Sequence, residues 1–250
     1  MMLKRTLLPI ALAALSASAH ALLVFSGTDI ATGPGDARPN SNAAAAAFDT
    51  IAASMFSISA VTFENMPLGT FNTISPKPGL KVVNGSGADT AIDATPTDDL
   101  GYNTTFGGRK YLRFWQSFGV VTEQVDFVFD EPINSFGAYF TGAQENFAGI
   151  FTVEFTDSHG NPQSLLLDKP APGNDGTAAT QFLGFVDDNF SGITKVSVVM
   201  RRELPDVGGR DLIGIDDVRY TNCDVIPEPG TMMALGLGLS ALVVRRRAKS

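Results

Sequence analysis

The middle of the chain alternates short apolar runs with turn residues. From Ala60 onward, runs rich in Val, Ile, Phe and Thr are separated by Gly, Pro, Asn and Asp. This pattern is typical of antiparallel β-proteins, in which each run forms a strand. The predicted strands are Ala60–Glu64, Lys81–Val83, Tyr111–Trp115, Gln124–Phe129, Ser135–Phe140, Gly149–Thr156, Gln163–Leu167, Thr180–Val186, Ile193–Met200 and Leu212–Tyr220.

One hairpin is particularly clear in this pattern. The strand that ends at Thr156 leads into Asp157–Asn161, a turn-forming stretch, and then into Gln163–Leu167. About ten short strands linked by such turns predict a two-sheet sandwich. The predicted fold class is therefore mainly β, a jelly-roll-like antiparallel β-sandwich.

A helical spacing precedes the first predicted strand. Residues 42–56 are rich in alanine, and larger apolar residues recur three or four positions apart, which predicts an amphipathic helix. Ser41 or Asn42 is the predicted N-cap. The face is formed by Phe48, Ile51, Ala52 and Met55.

Two stretches show neither the strand pattern nor the helical spacing. Residues 22–40 contain several Gly, Pro and Asp, and we predict an irregular segment there. Residues 84–105 are polar and rich in Gly and Asp, which indicates a long loop.

The C-terminal end of the chain has a third pattern. An apolar run, Thr231–Val244, lies between Pro227-Glu228-Pro229 and the basic cluster Arg245-Arg246-Arg247. As a helix this run spans roughly 21 Å, and the arginines can extend its reach across a bilayer by snorkelling. The prolines keep the preceding segment extended, which suits a protease cleft. An ordinary C-terminal transmembrane helix with a proline-rich hinge is the alternative.

This order of motif, apolar span and basic cap resembles the PEP-CTERM sorting signal of Gram-negative bacteria. The resemblance implies recognition by an exosortase, an integral-membrane cysteine transpeptidase. It also implies cleavage near Pro227-Glu228-Pro229, followed by release or transfer to the cell surface, often where exopolysaccharide is made. Three short motifs, Val61–Glu64, Phe129–Gly137 and Ile215–Val218, are similar to the β-sandwich bodies of such proteins. The Phe-Glu of the first motif and the Asp-Asp-Val of the last also resemble jelly-roll modules such as MAM and carbohydrate-binding domains.

The N-terminal end carries an export signal. Lys4-Arg5 precedes the apolar run Leu7–Ala17, and Ala19-His20-Ala21 is a small-x-small cleavage site. We expect export through the Sec translocon and cleavage after Ala21. The predicted division of the chain is 1–21 signal peptide, 22–59 N-terminal segment with the helix, 60–222 β-sandwich and 223–250 sorting tail with its helix at 231–244.

Composition limits the partners of the exported body. Residues 22–226 hold 25 acidic and 12 basic residues, so the body should repel nucleic acid and anionic membranes. It can attract divalent cations. Cys223 is the only cysteine, which excludes an internal disulfide, and we interpret it as incidental.

Catalytic constellations are scarce. After signal cleavage the only histidine is His159, in the predicted hairpin turn, and no Gly-x-Ser-x-Gly elbow is present. We therefore predict no catalytic residues and no enzyme. Paired carboxylates such as Asp98-Asp99 and Asp187-Asp188 leave a glycosidase open as an alternative, because that chemistry needs only two carboxylates.

Asp216-Asp217 interrupts the last predicted strand. Ile213 and Ile215 share one face, whereas Val218 and Tyr220 share the other, and a β-bulge explains this slip. If the first and last strands pair, Glu64 meets the bulge. The sequence therefore predicts a structural Ca²⁺ held by Glu64 and Asp216, with Asp217 as the alternate ligand. The competing interpretation is a strand end with solvated aspartates.

Aromatic residues are the other candidate ligand surface. Tyr111, Phe114, Trp115 and Phe118 cluster after the long loop, and we favour a core position for Trp115. The sequence thus predicts an exported envelope or extracellular-matrix protein with a non-enzymatic structural or adhesive role. The alternatives are a carbohydrate-binding module for exopolysaccharide, indicated by an exposed aromatic row, and a polysaccharide hydrolase, indicated by facing carboxylates in a cleft.

Overall fold

A computed structural model describes residues 22–30, 33–85, 90–94, 101–115, 122–144, 149–157, 159–168, 178–187, 192–202 and 212–225. The predicted signal peptide, residues 1–21, and the tail from residue 226, including the predicted helix 231–244 and the basic cap, lie outside them. The elements are β1 Leu22–Ile30, α1 Pro39–Met55, β2 Phe56–Val61, β3 Gly69–Thr70, β4 Thr73–Lys77, β5 Leu80–Asn84, β6 Ala91–Asp93, β7 Tyr111–Trp115, β8 Thr122–Gln144, β9 Gly149–Thr156, β10 Pro162–Leu166, β11 Ala178–Asp187, β12 Ile193–Arg202 and β13 Leu212–Val225.

The strands form two layers that share β8. The first layer has the order β10-β9-β12-β8-β5-β4 and uses the N-terminal part of β8. The second layer has the order β1-β11-β8-β13 and uses the C-terminal part. Beyond β13, β7 pairs with its start and β2 with its end, and β6 and β3 follow β7. All pairings are antiparallel, so the mainly β sandwich-like fold is confirmed.

The main core lies between the two layers. Phe155 of β9 stacks on Phe185 of β11 with ring centroids 3.8 Å apart, although these strands do not pair. Phe127 and Phe136, from the two parts of β8, also touch across this interior. Buried aromatic pairs of this kind contribute roughly 0.5–1.5 kcal/mol beyond the apolar area that they bury.

Helix α1 covers the outer face of the second layer. Ala45, Phe48 and Ala52 are buried at helical spacing, and the Phe48 ring contacts Phe25 and Phe182. The predicted apolar face is therefore correct. Its start is not, because α1 begins at Pro39, whose missing N–H is harmless in the first turn.

The predicted helix cap was wrong. Arg38 occupies the N-cap and makes no capping side-chain bond, while Ser41 and Asn42 lie inside the first turn. Asp29 of β1 performs the capping instead. Its carboxylate accepts from the backbone N–H of Asn40 at 3.1 Å and of Ser41 at 2.7 Å.

Several predicted strand limits also change. Residues 22–30 form β1, an integral strand of the second layer, where an irregular segment was predicted. Gly27 allows this strand to lie under α1, because a Cβ there would collide with the Asn40 carbonyl. The strand predicted at 60–64 is β2, Phe56–Val61, and the two predicted strands at 124–129 and 135–140 are one strand. β6 interrupts the predicted loop 84–105, and β13 continues past residue 222.

Candidate functional site

The predicted β-bulge lies in β13. Between the pairs Asp216–Tyr139 and Arg219–Gly137, β13 advances by three residues and β8 by two. Asp217 adopts a left-handed φ of 47°, which is unusual for a residue other than glycine. This one extra residue moves the inward pattern from Ile215 to Val218, as the sequence predicted.

Loop 101–110 supplies the hydrogen bonds to the bulge. Asp216 Oδ2 accepts from the backbone N–H of Thr104 at 2.7 Å and of Thr105 at 3.1 Å. The Thr104 hydroxyl donates to Asp217 Oδ2 at 2.9 Å, and the Thr105 hydroxyl to Asp217 Oδ1 at 2.7 Å. The loop is thereby fixed on β13 through both aspartates.

Glu64 reaches the same loop from the end of β2. β2 pairs with β13, so the condition that the predicted first strand pairs with the last is met. Glu64 Oε1 accepts from the backbone N–H of Arg109 at 2.8 Å and of Lys110 at 2.9 Å. The Asn103 side-chain amide then joins the two carboxylates, because it donates to Glu64 at 2.9 Å and to Asp216 Oδ2 at 3.1 Å.

The surroundings of Asp216 disfavour the ionised form of its carboxyl group. Burial is the main cause that raises the pKa of Asp216 to about 7, and the neighbouring Asp217 charge adds to it. The backbone hydrogen bonds from Thr104 and Thr105 only partly oppose this shift. Asp216 Oδ1 is buried and has no hydrogen-bond partner in the described part of the chain. Asp216 is thus suited to hold a proton or to face a cation.

The predicted calcium ligands are therefore placed around one loop. The free Oδ1 of Asp216 fits a hard cation, and the Asp217 charge would favour one. Glu64 Oε1 and both oxygens of Asp217 already accept hydrogen bonds that a cation would have to replace. Within the described ranges, no group of three or more His, Cys, Asp or Glu is arranged to hold a metal ion. Calcium binding stays a prediction.

A second candidate site is a groove on the outer face of the first layer. It encloses about 820 Å³. Its lining is mostly polar and comes from β8, β9, β10 and β12. It includes Gln124, Glu154, Asp157, Gln163, Lys195 and Ser197.

Fixed charges lie along this groove. Glu154 forms a two-point ion pair with Arg201, with Oε2 and Nη2 2.9 Å apart. The Arg201 hydrogen bond is the main cause that lowers the pKa of Glu154. Asp126 accepts from the Ser197 hydroxyl at 2.5 Å and lies 3.7 Å from the Lys195 amine. Glu154, on the groove lining, is therefore an ionised acceptor whose position is set by Arg201. Asp126 lies beside the lining residues Lys195 and Ser197.

The groove carboxylates are poor candidates for acid catalysis. A glycosidase acid needs a raised pKa, whereas the pKa of Glu154 is lowered. The pKa of Asp157 is also lowered, since hydrogen bonds from Asn161, Gln163 and His159 outweigh its partial desolvation. His159 lies in the predicted turn, and its backbone N–H donates to Asp157.

The aromatic cluster does not form an exposed row in the described chain. Tyr111 and Phe114 are buried, and Trp115 is half-buried with the Arg113 guanidinium over its ring. Phe118, Asp98-Asp99 and Asp188 lie outside the described residues. Phe106 at the tip of loop 101–110 is fully exposed, a position that the sequence analysis did not single out.

The last strand of the sheet ends where a sorting signal begins. β13 ends at Val225, and the family model described as the PEP-CTERM protein-sorting motif matches residues 225–247. The chain carries a PEP-CTERM sorting motif. It indicates export and membrane-anchored sorting, as the resemblance implied. In the described residues, no helix is long and apolar enough to cross a membrane.

Solved structures similar to this chain are β-sandwich domains. The K2 cleaved adhesin domain of Lys-gingipain is 14% identical, with a TM-score of 0.42 over 66% of this chain and 98% of its own. TmCBM61 in complex with β-1,4-galactotriose is 13% identical, with a TM-score of 0.38 over 64% and 94%. The CBM22-1 xylan-binding domain of Paenibacillus barcinonensis Xyn10C is 12% identical, with a TM-score of 0.35 over 67% and 96%. No curated protein matches the chain.

Proposed function

We propose that the protein is an exported envelope or extracellular-matrix protein with a non-enzymatic structural or adhesive body. Its route would be the Sec translocon, transient anchoring by helix 231–244, and cleavage by an exosortase at Pro227-Glu228-Pro229. The sorting motif at residues 225–247 is the observation that carries this proposal. The last described strand ends at Val225, before Pro227, so cleavage at Pro227-Glu228-Pro229 would leave all the described strands in the processed protein.

The intact mass of the protein secreted by its native host tests this route. We expect a chain that begins at Leu22 and has lost Arg245–Ser250. Glu228→Ala should leave the protein at the membrane. Glu131→Ala is the matched control, because Glu131 is an exposed residue and, like Glu228, is followed in the sequence by proline. A secreted chain that retains Arg245–Ser250 would contradict the proposal.

The non-enzymatic role is supported by the state of the carboxylates. Glu154 and Asp157 in the groove have lowered pKa values, and Asp216, whose pKa is raised, is buried under loop 101–110. A hydrolase would need one raised and one ionised carboxylate on the same cleft. Release of reducing ends from the host's own exopolysaccharide would contradict this part of the proposal.

Glycan binding is the second candidate function, and the groove favours it. Ionised carboxylates, amides and hydroxyls are the groups that hydrogen-bond sugar hydroxyls, and the ion pairs hold them in place. Since acidic groups predominate on this body, a neutral exopolysaccharide is a better partner than an anionic one.

A glycan screen on residues 22–226, with and without Ca²⁺, tests the second candidate. Gln163→Ala should weaken binding, because Gln163 lines the groove and donates to Asp157 at 2.8 Å. Asp130→Asn is the control, since Asp130 is exposed and pairs with Lys81 away from the groove lining. Equal binding by both variants would place any glycan site elsewhere.

A structural Ca²⁺ remains part of the proposal. Asp216 would supply the free Oδ1, and Glu64 and Asp217 would turn from the loop donors to the ion. Such an ion would neutralise the buried charge and tie β2 to β13 through loop 101–110.

A further inference from the structure

We propose that the end of β13 stores two spare residues, which straighten when the sorting motif enters the exosortase cleft. This inference rests on the proposed processing at Pro227-Glu228-Pro229. Val225 is both the last residue of β13 and the first residue of the matched motif. Pro227 therefore follows two residues after the sheet.

β13 is firmly held up to Thr221. Thr221 is fully buried, and it pairs with Ser135 of β8 on one side and Ile58 of β2 on the other. The hydroxyl groups of Thr221 and Ser135 are hydrogen-bonded at 2.8 Å. One residue earlier, the Tyr220 ring contacts Phe129 with centroids 5.0 Å apart. Release of this part of β13 would open the core.

Beyond Thr221 the pairing changes on both sides. With β8, the last pair in the described ladder is Asn222–Ile133, and the preceding residue of β8 is Pro132, which has no N–H. With β2, the ladder steps from Thr221–Ile58 to Val225–Phe56. Over that step β13 advances four residues and β2 only two, so β13 holds two extra residues.

These two residues are a reserve of length. A strand residue spans roughly 3.3 Å, so straightening the irregular segment would extend the chain by roughly 7 Å. Only the Val225–Phe56 pair closes the segment against β2. Opening that pair frees residues 223–225 while Thr221 and its buried hydrogen bond remain in place.

A protease cleft requires this length. An extended peptide can bind by adding a strand to its partner, and residues bound in this way cannot stay paired in their own sheet. Pro227 lies only two residues after β13, so the motif can bind as an extended strand only if the last residues of β13 leave the sheet. Residues 223–225 are thus the part of β13 that would leave the sheet when the motif binds the exosortase, and the fold need not open beyond them.

The test measures how fast the full-length chain is processed in its native host. Deletion of Cys223 and Asp224 removes the spare length, and we expect the half-time of cleavage to increase about tenfold, because the pairs at Asn222 and Thr221 would then have to open. Insertion of Gly-Ser after Val225 in the deleted chain should restore the original half-time.

Two controls separate length from composition and from misfolding. The double variant Cys223→Ser, Asp224→Asn keeps the length and should be processed like the wild type. Thermal melts of the corresponding bodies should show that the deletion leaves the sandwich folded. A folded deletion variant processed at the wild-type rate would overturn this inference alone, as would failure of Gly-Ser to restore the rate. Absence of processing in the wild type would overturn the proposed function as well.

Discussion

Two carboxylates of the second layer, Asp29 in β1 and Asp216 in β13, are both buried, yet their pKa values are shifted in opposite directions. Each accepts backbone N–H groups from a neighbouring segment. The pKa of Asp29 is nevertheless lowered, because the donors Ser41 and Asn40 outweigh its desolvation. The pKa of Asp216 is raised to about 7.

The neighbours of each carboxylate explain the difference. Asp29 faces the N-terminus of α1, whose first backbone N–H groups point at it and whose dipole favours a negative charge. Asp216 lies next to Asp217, and one of its oxygens has no partner in the described chain. The direction of a pKa shift therefore depends on the donors and charges that replace water, and burial alone does not decide it.

The largest expected effect is a pH dependence due to Asp216. In excess EDTA, a folded pKa of about 7 against an unfolded value of 3.8 means that the folded state binds the proton more tightly. The free energy of unfolding should therefore fall as pH rises, on the order of 2–3 kcal/mol between pH 5 and pH 8. Denaturant unfolding of residues 22–226 at these two pH values measures it.

Variants of the two carboxylates sharpen this test. Asp216→Asn should remove the difference in unfolding free energy between pH 5 and pH 8, whereas Asp29→Asn should leave it. The same difference in both variants would show that another group titrates.

Bound Ca²⁺ should offset the destabilisation that the buried, ionised Asp216 causes at high pH. A cation that binds only the folded state contributes roughly 2.7 kcal/mol at one hundred times its dissociation constant. We expect millimolar Ca²⁺ to raise the melting temperature of residues 22–226 at pH 8 by several degrees. Glu64→Ala and Asp216→Ala should abolish the gain. Identical melts in EDTA and Ca²⁺ would rule the site out, and equal gains in the variants would place it elsewhere.

Removal of the Asp29 carboxylate should lower the free energy of unfolding by somewhat less than the effects of Asp216 and Ca²⁺. Asp29→Ala leaves the first N–H groups of α1 without their acceptor, and loss of a helix cap costs about 1–2 kcal/mol. Because the pKa of Asp29 is lowered, its contribution should be present above pH 3.8 and lost as pH falls through the folded pKa. Unfolding curves at pH 7 and pH 3 for the wild type and Asp29→Ala test this. An equal difference at both pH values would contradict it.

The smallest effect concerns one hydroxyl of loop 101–110. Thr105→Val keeps the shape of the side chain but removes the donor to Asp217 Oδ1, which should cost about 1 kcal/mol. The control is Ser54→Ala, since the Ser54 hydroxyl bonds only the local Ile51 carbonyl on exposed helix surface. Unfolding curves at pH 7 compare the two variants. If both variants lower the free energy of unfolding by the same amount, the Thr105 hydroxyl does not hold loop 101–110 on β13.

The sequence pattern predicts the fold better in some elements than in others. β7 and β9 have the predicted limits, because each is a dense apolar run with clear turn residues beside it. β1 was missed because Gly27 and Asp29 resemble loop residues. Both are there for α1: Gly27 gives it room, and Asp29 caps it. Both roles depend on the contact between β1 and α1, and the periodicity of residues within one strand or helix carries no information about such contacts.

The candidate site was predictable in part for the same reason. The slip of the apolar pattern at Asp216-Asp217 is local, and it correctly predicts the bulge. The donors in loop 101–110 were missed, because their role depends on where a loop without periodicity returns to the sheet. The run Asn103-Thr104-Thr105 before two glycines was the available signal. The Glu154–Arg201 pair joins β9 to β12, and only the strand register brings it together.

The sharing of β8 between both layers has a consequence for the order in which the chain can fold. β8 is hydrogen-bonded to β5, which precedes it, and to β11, β12 and β13, which follow it. Neither layer can be completed while the later strands are absent, and such long-range pairing makes folding slow. On the proposed route through the Sec translocon, a chain exported from its N-terminus would acquire its full sandwich only after β13 emerges. Because the sorting motif begins where β13 ends, completion of the domain would then coincide with delivery of the motif to the membrane.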